Sequence, residues 1–435
     1  MGRAGFMSAA QLAAAVGGRW VACPAAGMGE ALPGVSTDTR TMEPGEAFIA
    51  IRGERFDAHD HLDNAADAGA AFAVVSQPVE RPPLRLLHVP DTRTALQQLA
   101  TAWRDRLAHG GVRVICVSGS NGKTTTRQLI HHVLTTPGQG DPLRGTQSPK
   151  SFNNHIGVPL TLLAARPGDD FVAVEIGTNH HGETAALADI ARPDIAVVTS
   201  IGREHLEHLG NLDGVAREQA ALLPRVRPGG VIFTTRDAGT ALAPYYDVQD
   251  RVGLMPVPEA DPAVPADLPT PGEHHRSNAR LAAAVARYLG RPDAVITAAL
   301  RSAPPVDGRM QRIDLGPVTV LHDAYNANPD SAAAALRVLV DWPEPGRRKV
   351  AVLGDMLELG SHTEFEHAAL AAAARNITDE LVLIGEHFPQ TTPWHDDLPR
   401  QIATTLRPGD VILLKASRGV GLERLIPPIR QRFCT

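Results

Sequence analysis

The stretch VSGSNGKTTT, residues 117–126, closes an apolar run of Val112, Val114, Ile115, Cys116 and Val117 and leads into a helix-like segment. A strand, a glycine-bearing turn and Lys-Thr at a helix start form a phosphate cradle. Backbone N–H groups at the helix N-terminus face the anion, a lysine offsets its charge and a hydroxyl can hold magnesium. The full pattern GxxxxGK[ST] is shortened here, because Val117 stands where the first glycine belongs; Gly119, Ser120, Asn121, Gly122, Lys123 and Thr124 remain. Lys123 suits the β- and γ-phosphates of ATP, and Thr124 or Thr125 suits Mg2+. Read alone, the same residues also fit a glycine-rich turn with a solvated lysine.

Two further strand ends carry chemistry: VEIGTNHHGE (174–183) and TSIGREHLEHLG (199–210). Ligands of open α/β sheets sit at the carboxyl ends of strands, which makes Glu175 a candidate magnesium ligand. His205 is ambiguous by itself, since imidazole more often suits zinc, and a loop histidine is as often structural. His205 and His208 have a zinc-like spacing without the remaining ligands, which argues against zinc. His180 and His181 read as solvated loop residues.

These residues need strands and helices to position them. Residues 35–76 alternate a strand-like EAFIAIRG, a helix-like AHDHLDNAADAG and a strand-like AFAVVS. A second alternation runs from Val112 through FVAVEIG and DIAVVTSIG to GGVIFTT. A third contains VTVLHDAYNA, AAAALRVLVDW, KVAVLGDM, HAALAAAARN, ELVLIGE and DVILLKAS. Short β-branched runs separated by helical patterns predict mostly parallel sheets covered on both faces. Six prolines between Pro256 and Pro271 mark the 237–271 stretch as irregular or edge structure. A helix follows over SNARLAAAVARYLG, with Ser277 as its cap and Gly290 as its stop. An N-terminal helix is capped by Ser8.

The 435 residues exceed one ordinary core and suggest about three domains. With 43% apolar residues, 21% charged residues and a net charge of −6, there is no basic footprint for nucleic acid or an anionic membrane. Small-molecule substrates are the expected partners, acting on a monomer. The 3 cysteines, Cys23, Cys116 and Cys434, have no paired spacing, which fits a reducing, cytoplasmic setting. No apolar run reaches the roughly 18 residues of a membrane span.

Taken in order, VSTDTR, GERFDAHDH, GSNGKTTT, SFNNHIGVPLTLL, EIGTNHHGE, SIGREHLEHLG, HDAYNANPDS, VLGDMLELG and LLKASRGVGLERL make nearly the whole chain resemble the Mur ligase family. The resemblance implies three α/β domains. Residues 1–109 form a small UDP-binding-like unit, 110–312 a central phosphate-loop ATPase sheet, and 313–435 a Rossmann-like unit that closes over ATP and binds the incoming amine. The implied reaction is ATP-dependent amide formation through an acyl phosphate, joining D-alanyl-D-alanine to UDP-N-acetylmuramoyl-tripeptide. Magnesium is then held by Thr124, Glu175 and His205.

The same resemblance assigns UDP recognition to Ser36, Thr37, Asp38 and Arg40, with Gly53, Arg55, Phe56 and His59 in the adjoining loop. Arg40 and Arg55 also read as surface charges. Asn153, Asn154 and His155 match contacts to the acceptor's peptide or muramoyl end, or else a structural turn. Asn278 and Arg309 match adenosine and phosphate contacts. Asp323, Tyr325, Asn326 and Asn328 face ATP and the dipeptide, and Lys415, Ser417 and Arg418 complete that face.

Some positions depart from the pattern. Gln219 stands where many Mur ligases carry a lysine modified to a carbamate beside a second magnesium, and glutamine cannot be carbamylated. The site is therefore expected to be unmodified, with either the neutral amide hydrogen-bonding a metal-bound water or Glu218 supplying the missing charge. His275 replaces an asparagine before the central helix, and Ala416 replaces a common glycine. These departures keep two other readings open: a related amide ligase recruited to a different acid and amine, and an ATP-binding regulatory protein that no longer ligates.

Overall fold

The computed structural model describes residues 5–21, 29–53, 56–80, 82–246, 253–344 and 346–434. Cys23 and Arg55 therefore lie outside the described residues. The apolar runs pair into three sheets. The first contains β1 (Arg19–Val21), β2 (Val35–Ser36), β3 (Ala47–Ile49), β4 (Phe72–Val75) and β5 (Leu86–His88), in the order β1-β5-β4-β3-β2. All its pairings are parallel except that of β1 with β5.

The second sheet contains β6 (Arg113–Ser118), β7 (Gly145–Gln147), β8 (Phe171–Glu175), β9 (Ile195–Val198), β10 (Val231–Thr234) and β11 (Gly253–Pro256). It is wholly parallel, in the order β11-β10-β9-β6-β8-β7. β8, β9 and β10 are buried along their length, the pattern required of strands covered on both faces. From β6 the chain first runs to one side and then returns to place β9 on the other. The loop after β6 thus opens between the carboxyl ends of β8 and β9, at the switch point where such sheets bind ligands.

The third sheet contains β12 (Gln311–Leu315), β13 (Val318–Asp323), β14 (Lys349–Gly354), β15 (Glu380–Ile384) and β16 (Val411–Lys415), in the order β12-β13-β16-β14-β15. β12 and β13 form an antiparallel pair, and the remaining pairings are parallel. Parallel register sets Asp323 directly beside Lys415.

The cores are less separate than three units suggest. Helix Thr92–His109 buries Leu96, Leu99 and Trp103 in one cluster with Val158, Leu162 and Leu187 of the second sheet's layer. Trp103 Nε1 donates to Ala165 O at 3.0 Å, and buried Arg104 pairs with Asp194 at 2.8 Å. Leu206 and Leu209, which flank His205 and His208, lie in the cluster built by Leu336, Met356 and Leu359 of the third unit. The His205 loop is therefore anchored by its apolar side chains in the neighbouring domain.

Ser8 does cap helix Ala9–Val16, and Gln11 completes a capping box. The helix expected to start at Ser277 instead spans Glu273–Tyr288, with Gly272 (φ +108) as its N-cap and Leu289 as its C-cap. Ser277 lies inside that helix, where it accepts from Arg280 Nη1 at 3.2 Å. The 237–271 stretch supplies the edge strand β11, but it also contains most of helix Arg236–Leu242, which its prolines and glycines concealed.

Candidate active site

The turn after β6 depends on two glycines. A Cβ at Gly119 (φ +117) would lie 2.8 Å from Thr199 N and 2.9 Å from Ser200 N, and one at Gly122 (φ +86) would overlap the Asn278 side chain. The backbone thus lies against β9 on one side and helix Glu273–Tyr288 on the other. Ser120 N–H donates to Ser200 O at 2.8 Å, and Asn121 N–H donates to Ser200 Oγ at 2.9 Å. Helix Lys123–Thr135 starts directly from the turn. Lys123 Nζ donates to Gly119 O at 2.5 Å and Ser120 O at 3.1 Å, and lies 3.3 Å from Glu204 Oε2. Thr124 is 3% exposed, and its hydroxyl has no partner within the protein. A buried hydroxyl without a partner is costly unless a ligand uses it.

Glu175 ends β8 with both oxygens engaged. Asn153 Nδ2 donates to Oε1 at 3.0 Å, and the guanidinium of buried Arg127 lies 3.5 Å from Oε2. Asn154 turns its side chain to the backbone ahead of helix Gly157–Ala164, where Oδ1 accepts from Ile156 N–H at 3.1 Å and Gly157 N–H at 2.9 Å. His205 adopts a left-handed backbone (φ +48), with Nε2 3.8 Å from Glu204 Oε2 and Nδ1 2.6 Å from Glu358 Oε2. The latter is an ion-pair contact without hydrogen-bond alignment. The His205 contact holds the Glu358 carboxyl below its ordinary range.

The third unit forms the opposite wall. Lys415 Nζ lies 2.8 Å from Asp323 Oδ2 and donates to Asn326 O at 2.9 Å. Tyr325 carries the Arg309 guanidinium 4.3 Å from its ring centre and that of Arg418 at 5.3 Å, and donates to Ser151 Oγ at 2.7 Å. Asn328 caps helix Pro329–Val340 and also donates to Asn121 Oδ1 at 2.9 Å. Contacts from Tyr325 and Asn328 to the central unit define a closed arrangement.

Between these walls lies a cleft of about 700 Å³. Of the residues anticipated from sequence, Ser120, Asn121, Gly122, Lys123, Thr124, Thr125, Asn153, Asn154, His155, Glu175, His205, Asn278, Arg309, Asp323, Tyr325, Asn326, Asn328 and Lys415 line it. Gly119, Ser417 and Arg418 are not among the lining residues. Ser36, Thr37, Asp38 and Arg40 do not line the cleft; they lie in and after β2. There Arg40 pairs with Asp38 at 2.6 Å and holds its carboxyl down to about 2. In the adjoining loop of the first unit, Phe56 stacks on His61 at 4.8 Å, and His59 accepts from Ser76 N–H at 3.0 Å.

Four wall residues were not named from sequence: Ser151, Glu204 and Asp330, although each lies inside a quoted family motif, and Arg337, which lies in none. His180 and His181 are exposed, as expected of loop residues, and His180 also stacks on His208 at 4.1 Å. Glu218 does not face the phosphate loop. Its carboxylate accepts from Gly182 N–H at 2.8 Å and Thr184 N–H at 2.7 Å, at the start of helix Glu183–Ala191. It is occupied by that helix end and cannot supply the charge expected of it.

A phosphate loop at the switch point of a parallel sheet, faced across a cleft by Asp323 and Lys415 from another α/β unit, with Arg309 held over Tyr325, defines a nucleotide-using phosphoryl-transfer site with an acceptor face opposite. Family models agree with this class: the Mur ligase family, catalytic domain, matches residues 32–104; the Mur ligase middle domain 117–244; and the Mur ligase, glutamate ligase domain, 308–418. The chain belongs to the Mur ligase family. It is 34% identical to the UDP-N-acetylmuramoyl-tripeptide–D-alanyl-D-alanine ligase of Bacillus subtilis, over 90% of this chain and 92% of that one. The Escherichia coli enzyme of the same name is 32% identical over 92% and 94%. A crystal structure of MurF from Acinetobacter baumannii superposes with a TM-score of 0.84 at 29% identity, covering 98% of this chain and 99% of that one.

Proposed function

We propose that this chain is the ATP-dependent, ADP-forming ligase that joins D-alanyl-D-alanine to UDP-N-acetylmuramoyl-tripeptide in peptidoglycan precursor synthesis. The observation that carries the reading is the shared cleft, which sets Lys123 and Thr124 of one unit opposite Asp323 and Lys415 of another, with Arg309 held over Tyr325 between them. In the first step a substrate carboxylate oxygen attacks the γ-phosphorus of ATP, and ADP leaves. Two anions must meet, so the protein's task is to offset charge and align the groups. Lys123 gives up its carbonyl partners to serve the phosphates, and Arg309, held over Tyr325, approaches from the far wall. In the second step the amine of the dipeptide attacks the acyl phosphate carbon, and phosphate leaves. Lys415 and Arg418 suit the dipeptide's own carboxylate, while Asn153, Asn154 and His155 border the acceptor.

Thr124, Glu175 and His205 fit a magnesium ion, because Thr124 offers an unpartnered hydroxyl and Glu175 keeps free lone pairs. Among the described residues no group of three or more His, Cys, Asp or Glu could hold a metal ion by itself. A magnesium ion held there would need phosphate oxygens and water to complete its shell, as it usually does beside a nucleotide. The chemistry such an ion supplies is neutralisation of the phosphate charge. Ser36, Thr37, Asp38 and Arg40 take the UDP part, so the acceptor spans from the first unit into the cleft. The units 1–109, 110–312 and 313–435 divide the work as acceptor, ATP and amine modules of a cytoplasmic monomer. No helix of the described residues is long and apolar enough to cross a membrane. The test is phosphate release from ATP, UDP-N-acetylmuramoyl-tripeptide and D-alanyl-D-alanine together. Turnover that requires all three is expected, and none with that set would overturn the reading.

A further inference from the structure

Lys123 shares its ammonium with a carboxylate that the sequence motifs do not single out. Glu204 is 4% exposed, and its Oε2 lies 3.3 Å from Lys123 Nζ and 3.8 Å from His205 Nε2. Its Oε1 accepts from Gln219 Nε2 at 3.0 Å. Gln219 is 0% exposed, and the other end of its amide accepts from Ser118 Oγ and, at 3.1 Å, from Gly119 N–H. The orientation of this amide is forced: a backbone N–H can only donate and an ionised carboxylate can only accept. Gln219 therefore ties the start of the phosphate loop to Glu204 and aims the second oxygen of Glu204 into the cleft. A lysine at 219 would leave Gly119 N–H without its acceptor. A carboxylate there would set oxygen against oxygen at Glu204.

In this arrangement Lys123 is the full positive charge beside Glu204. A triphosphate entering the loop draws that ammonium to itself, leaving a buried carboxylate beside further negative charge, which is unfavourable unless another cation arrives. Thr124 borders the same cleft, and its buried hydroxyl has no partner within the protein, which marks a second group beside the phosphate loop left for a ligand. One or two carboxylates plus phosphate oxygens and water are the usual shell of magnesium with a nucleotide.

We propose that Glu204 is a cation-binding carboxylate of the phosphate site and that Gln219 is the residue that positions it, so that the acidic group resides at 204 and residue 219 acts unmodified. This rests on the reading of the loop as an ATP site. The probe is Mn2+, titrated by electron paramagnetic resonance into the full chain with a non-hydrolysable ATP analogue. Metal-free ADP binding and thermal melting are followed in parallel. Glu204→Gln, which keeps the shape, is expected to weaken analogue-dependent Mn2+ binding by at least tenfold while ADP affinity stays within about threefold. Gln219→Leu, which removes the donor but leaves Glu204, should weaken it by a smaller factor. Gln219→Lys should lose turnover with or without bicarbonate. Mn2+ binding in Glu204→Gln equal to that of the unaltered chain overturns the proposal. Recovery of Gln219→Lys by bicarbonate does so too, because the acidic group would then belong to 219. Failure of the unaltered chain to bind the analogue at all overturns the ATP reading, and this inference falls with it.

Discussion

Replacing Arg203 by alanine tests whether closure of the third unit is maintained by one side chain. Arg203 precedes the Glu204–His205 pair and reaches across the cleft. Its Nη2 lies 2.6 Å from Asp330 Oδ1, its backbone N–H donates to Asp330 Oδ2 at 2.6 Å, and its Nη1 meets both Glu366 oxygens at 2.9 and 2.8 Å. The two ion pairs are unequal. Arg203 and Asp330 are 35% and 38% exposed, so solvent screens that pair and its loss costs about 0.5 kcal/mol. Glu366 is 8% exposed and would be left almost buried without a partner. Such losses run to about 3–5 kcal/mol for fully buried pairs. Here Arg203 is partly wet, and the first turn of helix Thr363–Arg375 also favours the charge of Glu366. About 2 kcal/mol is therefore the better figure for this pair. The sum, about 2.5 kcal/mol, lowers the closing constant roughly 60-fold.

Phosphate release at varied dipeptide concentration should show kcat/KM falling by about 10- to 60-fold. Small-angle scattering with an ATP analogue should show a larger radius for the variant, while melting of the central unit changes little. Arg203→Lys should recover only part of the activity, since an ammonium cannot serve both carboxylates with a planar fork. Adding Glu366→Leu to Arg203→Ala should restore some closure by removing the stranded charge. A kcat/KM within twofold of the unaltered chain, with the same scattering, would refute the reasoning.

Thr124→Val removes a hydroxyl that has no protein partner, so melting should hold within about a degree while magnesium-dependent turnover falls at least tenfold; full turnover in this variant would show that the hydroxyl serves no ligand. Gly122→Ala places a side chain at φ +86 and against Asn278, a strain of about 1–2 kcal/mol that should lower the melting temperature by roughly 2–6 °C and raise the KM for ATP. For His275, burial is the main cause that holds the ring well below its ordinary value, with the nearby charges of His274, Arg309 and Lys415 adding to it. The unfolded ring binds a proton below about pH 6.5 and the native ring does not, so its contribution is complete above that pH and is lost as pH falls, by up to about 1.4 kcal/mol per unit. Melting temperatures compared between pH 7.5 and 5.5 should fall less steeply in His275→Asn, and equal slopes would show that His275 does not set the trend.

What could be read along the chain, and what could not, follows from the range of the forces involved. The loop after β6 was legible because its function is local: glycines for the turn, Lys123 and Thr124 for the helix start, all within one short stretch. Glu175 was legible for a related reason, since it ends a strand whose apolar run is visible in the sequence and strand ends of parallel sheets collect on one side; Asp323 and Lys415 also end strands but were assigned through the family resemblance. Short edge strands such as β2 and β7 have too few residues to show a period, and the start of helix Glu273–Tyr288 turned on a glycine cap that a serine four residues into the helix obscured. The larger omissions are those whose partners are distant in the chain. Gln219 stands 100 residues beyond Gly119, to whose N–H it bonds, and Arg203 lies 163 residues before Glu366, with which it pairs. No local pattern encodes a contact of that separation. Gln219 shows the consequence: as a letter in a sequence it is a missing lysine, and as a side chain it is an amide that holds the phosphate loop at one end and a carboxylate at the other. Whether a substitution removes a function or relocates it depends on what the new side chain touches, and here the amide at 219 hands the charge to Glu204.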